Sequence, residues 1–292
     1  MTRLSPFTLH RPESIEEATE LLDRLGDDAV AYVGGTELFL LFKFGFARHP
    51  HVVDLKRIDE LHRIGPSDGG LGIGAAETHR TIERDELVRG EWPALAAMES
   101  GVGNLRVRTM GSIGGNLCFA DPHSDPATFL LAADASLEAR RGGSKGRRIP
   151  VGEFVTGVFE NALEPGELLT RVHVPALDAG AVIEHRKFVL YERPAVTVAC
   201  HLRVAEGRLS DVRLSVGSAG IRATRASLGE EALEGASLDE LAAALSEAGR
   251  HAADAAGPVE DANGSVEYKR HMVGVLVNRC VGAAAERAAE ET

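Results

Sequence analysis

Along the first sixty residues the spacing of apolar positions changes between the two periods expected of helices and strands. Ile15, Ala18, Leu21 and Leu22 recur at helical spacing behind Ser14, Glu16 and Glu17 fall in the first turn, and Gly26 stops the run. Phe7-Thr8-Leu9 before it reads as a short strand. Ala29 to Val33 after it reads as a buried strand that runs directly into Gly34-Gly35-Thr36 and a helical segment from Glu37 to Phe44. Val52 to Leu55 closes the unit as a further strand. The order strand, helix, strand, glycine turn, helix, strand predicts a small α/β layer over residues 1–57 with a binding turn at a strand end.

A second α+β unit is predicted over 58–176. Leu61 to Ile64 and Leu71 to Ala75 read as hairpin strands around Pro66-Ser67-Asp68-Gly69-Gly70. Helices are expected over Thr81 to Val88 and Trp92 to Glu99, the latter with Pro93 in its first turn, where a missing amide proton costs little. Arg106 and Arg108 are placed on a strand leading into Gly111-Ser112-Ile113-Gly114-Gly115-Asn116. A helix follows through Leu130 to Ala133, then strands at Ser136 to Ala139 and Leu169 to Val174. The last third, 177–292, alternates like antiparallel strands at Phe188–Leu190, Thr197–Arg203 and Asp211–Val216. Amphipathic, alanine-rich helices then span Ser237 to Ala256 and Val266 to Ala288.

At 292 residues the chain is long enough for two or three compact units, and an apolar share of 44% rules out general disorder. The net charge of −12 repels polyanions and argues against nucleic acid or an anionic membrane as the main partner. No signal-peptide core is visible, and the apolar run Leu38 to Phe42 is too short to span a bilayer, so no stable membrane insertion and a cytoplasmic location are expected. Cys118, Cys200 and Cys280 lie far apart without a Cys-x-x-Cys pair. They are expected to be buried thiols, and a self-contained thiolate metal site is excluded.

Gly34-Gly35-Thr36 is compatible either with an ordinary tight turn or with an anion site, because bare backbone N–H groups converge where the turn opens a helix and Thr36 adds a hydroxyl. Gly111, Ser112, Gly114, Gly115 and Asn116 repeat that design, and two such turns suit a pyrophosphate. Asp121 and Asp125 bracket Pro122-His123-Ser124; Asp125 either caps the helix that starts at Pro126 or bonds a ribose or adenosine. Gly70 to Gly74 resembles a dinucleotide fingerprint but lacks its last glycine and reads as strand, and Gly142 to Gly146 reads as an exposed hairpin tip. No His-Glu-x-x-His and no hydrolase triad is present, so neither metal nor catalytic residues are assigned.

With these residues in view, the chain resembles the FAD-binding medium subunit of carbon monoxide dehydrogenase and the flavin domain of xanthine dehydrogenase and related molybdenum hydroxylases. Gly111-Ser112-Ile113-Gly114-Gly115-Asn116-Leu117 with Asp121-Pro122 and Asp125-Pro126 is similar to that family's second pyrophosphate turn and the acidic loop behind it. Tyr32-Val33-Gly34-Gly35-Thr36-Glu37-Leu38 is similar to its first, and Asp261, Ser265 and Tyr268 to His271 to its closing helix. The resemblance implies an α+β fold of two FAD-binding subdomains of the PCMH type followed by a C-terminal domain of antiparallel sheet and helices. It implies FAD contacts from 32–38 and 111–116, with Asp121 and Asp125 near the second turn and Lys187 near the flavin. It also implies a large molybdenum-cofactor subunit and a small iron–sulfur subunit as partners, electrons passing from the latter through FAD to an external acceptor. A stand-alone flavin oxidase or reductase of the same fold is the alternative. The stretch after Lys187, Leu190-Tyr191-Glu192, departs from the arginine pair common among relatives. Tyr191 is read as a packed strand residue.

Overall fold

A computed structural model describes residues 4–290. Contacts group the chain into two compact units. The first holds the chain up to Phe119 together with Ser136–Phe154 and Asn161–His173, and the second holds Ala120–Ala135, Val155–Glu160 and the chain from Val174 onward. A cut at 176 would have placed 120–135 with the middle of the chain; in the structure this segment packs with the C-terminal strands.

In the first unit, β1 (Thr8–His10), β2 (Ala29–Tyr32) and β3 (His51–Asp54) form a parallel sheet in the order β1-β3-β2. The intervening helices are α1 (Ile15–Leu25) and α2 (Leu38–Phe44). Helix α1 starts where the Ser14 side chain accepts the Glu17 N–H and stops at Gly26, whose φ of 54° a side chain disfavours. Its apolar face, Ile15, Ala18 and Leu21, is buried against Val53, Leu55, Ile58 and Leu61. Strand β2, expected to be buried, is only partly so because it lies at the sheet edge.

The second sheet of this unit has the order β4 (Ile64–Ser67), β5 (Gly70–Gly74), β10 (Leu168–Pro175), β6 (Ser136–Arg140), β7 (Arg147–Pro150), and the pairs β4–β5, β10–β6 and β6–β7 are antiparallel. The β4–β5 turn is Asp68-Gly69, both with positive φ (49° and 78°), as a two-residue hairpin requires. The first hairpin strand was expected at Leu61 to Ile64. That stretch instead begins as a 3-10 turn, Asp59–Leu61, which buries Leu61, and pairing starts at Ile64. The predicted helix 81–88 is two helices, α3 (His79–Arg84) and α4 (Glu86–Glu91), because the Asp85 side chain caps the Val88 N–H and restarts the chain. Helix α5 (Pro93–Ser100) begins with its proline as expected. Arg106 and Arg108 lie on a helix, α6 (Leu105–Met110), rather than a strand, since Asn104 accepts the N–H groups of both Arg106 and Val107. Helix α7 (Ile113–Phe119) follows, and α9 (Val151–Phe154) comes after β7.

The second unit contains α8 (Asp125–Ala132), the short strands β8 (Val155–Gly157) and β9 (Glu160–Asn161), and the sheet β11 (Ala181–Val189), β12 (Pro194–Ala205), β13 (Arg208–Gly217), β14 (Thr224–Arg225) in sequential antiparallel order. Helices α10 (Ser227–Leu233), α11 (Leu241–Ala256) and α12 (Val266–Glu290) complete it. Cys200 of β12 faces Cys280 of α12, and Thr197, of the opposite parity, bonds Thr128 of α8. Helices therefore cover both faces of β12, which is why ten of its twelve residues, Pro194 to Leu202 and Val204, are buried. Cys200 and Cys280 are buried as expected, whereas Cys118 is partly exposed. No described helix is long and apolar enough to cross a membrane.

Candidate cofactor-binding site

The first glycine turn hangs between β2 and α2. Gly35 takes a φ of 66°, and a β-carbon there would lie 2.5 Å from the Phe39 ring and 2.7 Å from the Tyr32 ring, so the position admits no side chain. The Tyr32 and Phe39 rings meet edge to face at 5.1 Å and close the turn from behind. The α2 ladder opens with Phe39 N–H donating to Gly35 O at 3.1 Å, leaving the N–H groups of Thr36 and Leu38 ahead of it. Glu37 precedes the first helical residue, Leu38, and Val33 packs on the core of α1. Lys56 brings a cation to the turn: its Nζ donates to Tyr32 Oη at 2.7 Å and lies 4.1 Å from the centre of that ring.

The second turn is shorter than its sequence suggested. Gly111 ends α6 with its N–H on Val107 O, 2.7 Å away, and Ile113 already begins α7, so Gly114, Gly115 and Asn116 lie within a helix. Three main-chain bonds lace this segment to residues 75–79: His79 N–H to Gly111 O (3.0 Å), Ile113 N–H to Glu77 O (3.0 Å) and Gly114 N–H to Ala75 O (2.9 Å). A β-carbon on Gly114 would lie 2.5 Å from Ala75 O. That glycine is therefore needed for packing against Ala75, and its donor is already used. Gly115 is different, for a β-carbon there would meet only the Ser112 Oγ, at 2.9 Å, the same oxygen that accepts the Gly115 N–H. Burial raises the Glu77 carboxyl above its ordinary range, with His62 opposing the shift.

Both turns belong to the first unit, and they touch. A β-carbon on Gly34 would lie 1.9 Å from Met110 O and 2.8 Å from Gly111 Cα, so the two backbones meet with no room for an atom between them. From the Gly111 side, a β-carbon would find His79 Cδ2 at 3.3 Å and Thr36 Oγ1 at 3.4 Å. Bare backbone from two turns, a hydroxyl and a helix-opening segment therefore converge on one place.

Asp121, Asp125 and Lys187 lie in the second unit. Ser124, not Asp125, is the N-cap of α8, accepting the Ala127 N–H at 3.1 Å; Asp125 is the first helical residue and is buried, 4% exposed. Its Oδ2 pairs with Lys187 Nζ at 2.6 Å, and His185 Nε2 lies 3.8 Å from its Oδ1. Burial, with Lys187 and then Arg186 adding to it, pushes the His185 pKa down from 6.5 to about 3. Asp121 accepts the His123 N–H (2.8 Å) and faces its Nδ1 (3.0 Å), and it also pairs with Arg193. The acidic loop is thus engaged in pairing within its own unit, and the expected cofactor contact of Asp125 is not accompanied by an open carboxylate. Tyr191, read as a packed strand residue, is 73% exposed beyond the end of β11.

Two groups beside the turns went unnoticed in the sequence, Lys56 and the buried pair His79–Glu99. Neither belongs to a motif, and twenty residues separate the members of the pair. Among the described residues no group of three or more His, Cys, Asp or Glu side chains is placed to hold a metal ion.

Comparison with known proteins gives the class. Residues 5–177 match the model of the FAD binding domain in molybdopterin dehydrogenase, and residues 191–284 match the CO dehydrogenase flavoprotein C-terminal domain. The chain belongs to this family of FAD-binding subunits of molybdopterin dehydrogenases. It is 30% identical over 290 residues to the carbon monoxide dehydrogenase medium chain of Hydrogenophaga pseudoflava, covering 97% of this chain and 98% of that one. It is 28% identical over 282 residues to the xanthine dehydrogenase FAD-binding subunit of Escherichia coli O157:H7, covering 94% of each. A chain in a solved structure of the Hydrogenophaga pseudoflava carbon monoxide dehydrogenase superposes with a TM-score of 0.93 at 30% identity, over 98% of this chain and 99% of that one. The protein is accordingly an FAD-binding oxidoreductase subunit of the carbon monoxide and xanthine dehydrogenase type.

Proposed function

We propose that the abutting turns hold the diphosphate of FAD and that the subunit relays electrons between a partner iron–sulfur subunit and an external acceptor. The observation that carries this reading is the direct contact of Gly34 with Met110 and Gly111, which joins two individually ordinary turns into one cradle. Val33, Gly34, Gly35, Thr36, Glu37 and Leu38 contribute from the first turn, with Tyr32 and Lys56 behind it; Gly111, Ser112, Ile113, Gly114, Gly115 and Asn116 contribute from the second. Within the second group Ile113 and Gly114 anchor the turn to residues 75–77. The bound flavin supplies the redox chemistry. This chain binds and orients it, with the edge-to-face rings of Tyr32 and Phe39 lining the rear of the first turn.

The substrate is oxidised on a large molybdenum-cofactor subunit in this reading, in the cytoplasm, and a small iron–sulfur subunit delivers the electrons. The two sheets of the first unit support two FAD-binding subdomains, over 1–57 and over 58–176 apart from the part of 120–135 that packs with the C-terminal strands, followed by a C-terminal domain over 177–292. Purification of the chain from its own host tests the proposal. We expect a flavin absorption spectrum, release of FAD rather than FMN on denaturation, and co-purification of two further subunits carrying molybdenum and iron. A chain that takes up no FAD on reconstitution contradicts the binding reading. A flavinylated chain that oxidises a small molecule unaided contradicts the relay.

A further inference from the structure

Behind the second turn, His79 Nδ1 lies 2.6 Å from Glu99 Oε2, and both side chains are shut off from solvent, at 2% and 0% exposure. The other carboxylate oxygen of Glu99, Oε1, is buried without a hydrogen-bond partner among the described residues. A half-satisfied buried pair of this kind is a poor source of stability, since apolar side chains of similar volume fill such a space at lower cost. Its position suggests what it does instead. His79 is the first residue of α3, capped by Thr78, and its main-chain N–H, one of the donors a helix start leaves open, goes to Gly111 O at 3.0 Å. Its Cδ2 edge, the edge that also bears Nε2, lies 3.3 Å from where a Gly111 β-carbon would be, beside Thr36 Oγ1. The 2.6 Å contact of Nδ1 with the carboxylate fixes the ring about its χ angles.

We propose that the His79–Glu99 pair is a positioning device for the diphosphate turn: Glu99 holds the imidazole, and the imidazole and main chain of His79 hold Gly111 against Thr36. This rests on the reading of the two turns as the FAD site. His79 bonds the turn through its main chain, so the pair acts on how tightly the diphosphate is held.

The test uses the full-length chain freed of flavin, titrated with FAD and separately with ADP, which carries the same diphosphate without the flavin. His79→Leu is expected to weaken both ligands by a common factor of about ten or more, the loss of one hydrogen-bonded constraint to a charged group. His79→Asn, whose amide can still donate toward Glu99, should recover most of that loss, and Glu99→Gln should fall between. Rescue by asparagine and equal factors for FAD and ADP are outcomes that simple loss of core packing would not produce. Unchanged affinity in a folded His79→Leu chain overturns the proposal; if that variant does not fold, unchanged affinity in the isosteric Glu99→Gln overturns it equally. A wild-type chain that binds neither FAD nor ADP overturns the reading of the turns themselves, and this inference with it.

Discussion

Gly34→Ala is the smallest change that separates the two turns. The added methyl would start 1.9 Å from Met110 O, 2.5 Å from Met110 C and 2.8 Å from Gly111 Cα, against an ordinary contact of 3.4 Å or more. Relief requires the turns to part by about 1.5 Å, and no rotamer change can supply it because every neighbour is main chain. Overpacking of this kind typically costs 1 to 3 kcal/mol, and the rigid neighbours put Gly34→Ala at about 3 kcal/mol. Gly115→Ala is the control. Its methyl meets only Ser112 Oγ at 2.9 Å, a hydroxyl that can rotate away. The lost Gly115 N–H bond costs about 1 kcal/mol, and alanine in a helix returns about the same. Urea unfolding of the flavin-free chain should therefore show a large loss for Gly34→Ala and almost none for Gly115→Ala. Flavin fluorescence titration should show FAD affinity falling at least about tenfold in Gly34→Ala, because the cradle is opened. Should Gly34→Ala match wild type in both measurements, the claim that the turns are held in contact is refuted.

Two further outcomes concern the second unit. Lys187→Met strands the buried Asp125 carboxylate beside the neutral His185 and should cost about 2 to 3 kcal/mol, discounted for the partial exposure of Lys187; Lys187→Met/Asp125→Leu should recover much of it. Denaturant curves for the single and double variants check this, and a single variant within experimental error of wild type would falsify the pairing. His185 has a depressed folded pKa, about 3 against 6.5, so its contribution is fully present above pH 6.5 and is lost as pH falls toward 3. Stability should decline with acidification by an added slope on the order of 1 kcal/mol per pH unit in that window, and His185→Gln should flatten it. Parallel pH profiles for the two proteins would remove His185 as the cause.

Much of the fold was legible because its signals are local. Ser14 and Gly26 bracket α1 where the apolar period says they should, and Asp68-Gly69 makes the hairpin turn that its residue types demand. The long strands of the C-terminal third alternate or run apolar as their burial requires. Errors arose where a single side chain overrode the periodic pattern. Asp85 splits one predicted helix into two, Asn104 converts an arginine-bearing strand into a helix, and Ser124 takes the cap that Asp125 had been considered for.

For the site, residue type was readable and role was not. Glycines at 34, 111 and 114 lie where a β-carbon would come within 3.0 Å of another backbone, whereas Gly35 and Gly115 face only side chains. What each approaches depends on partners far away in the chain: Gly34 meets Met110, Gly114 meets Ala75, and Gly115 meets only a hydroxyl. His79–Glu99 and Asp125–Lys187 were equally hidden, because a buried pair is defined by which helices and strands pack together.

The sequence by itself determined most helices and strands, though not every boundary, which turns must be glycine, and, through its resemblance to a family, that a flavin diphosphate is the ligand to expect. Tertiary structure alone decided that the two glycine turns form one cradle, that residues 120–135 cover the second face of β12, and that the acidic loop pairs within its own unit. Backbone preferences and capping act over a few residues and leave their mark locally. Contacts between segments distant in the chain are selected by the burial of whole faces, which no short stretch of sequence records.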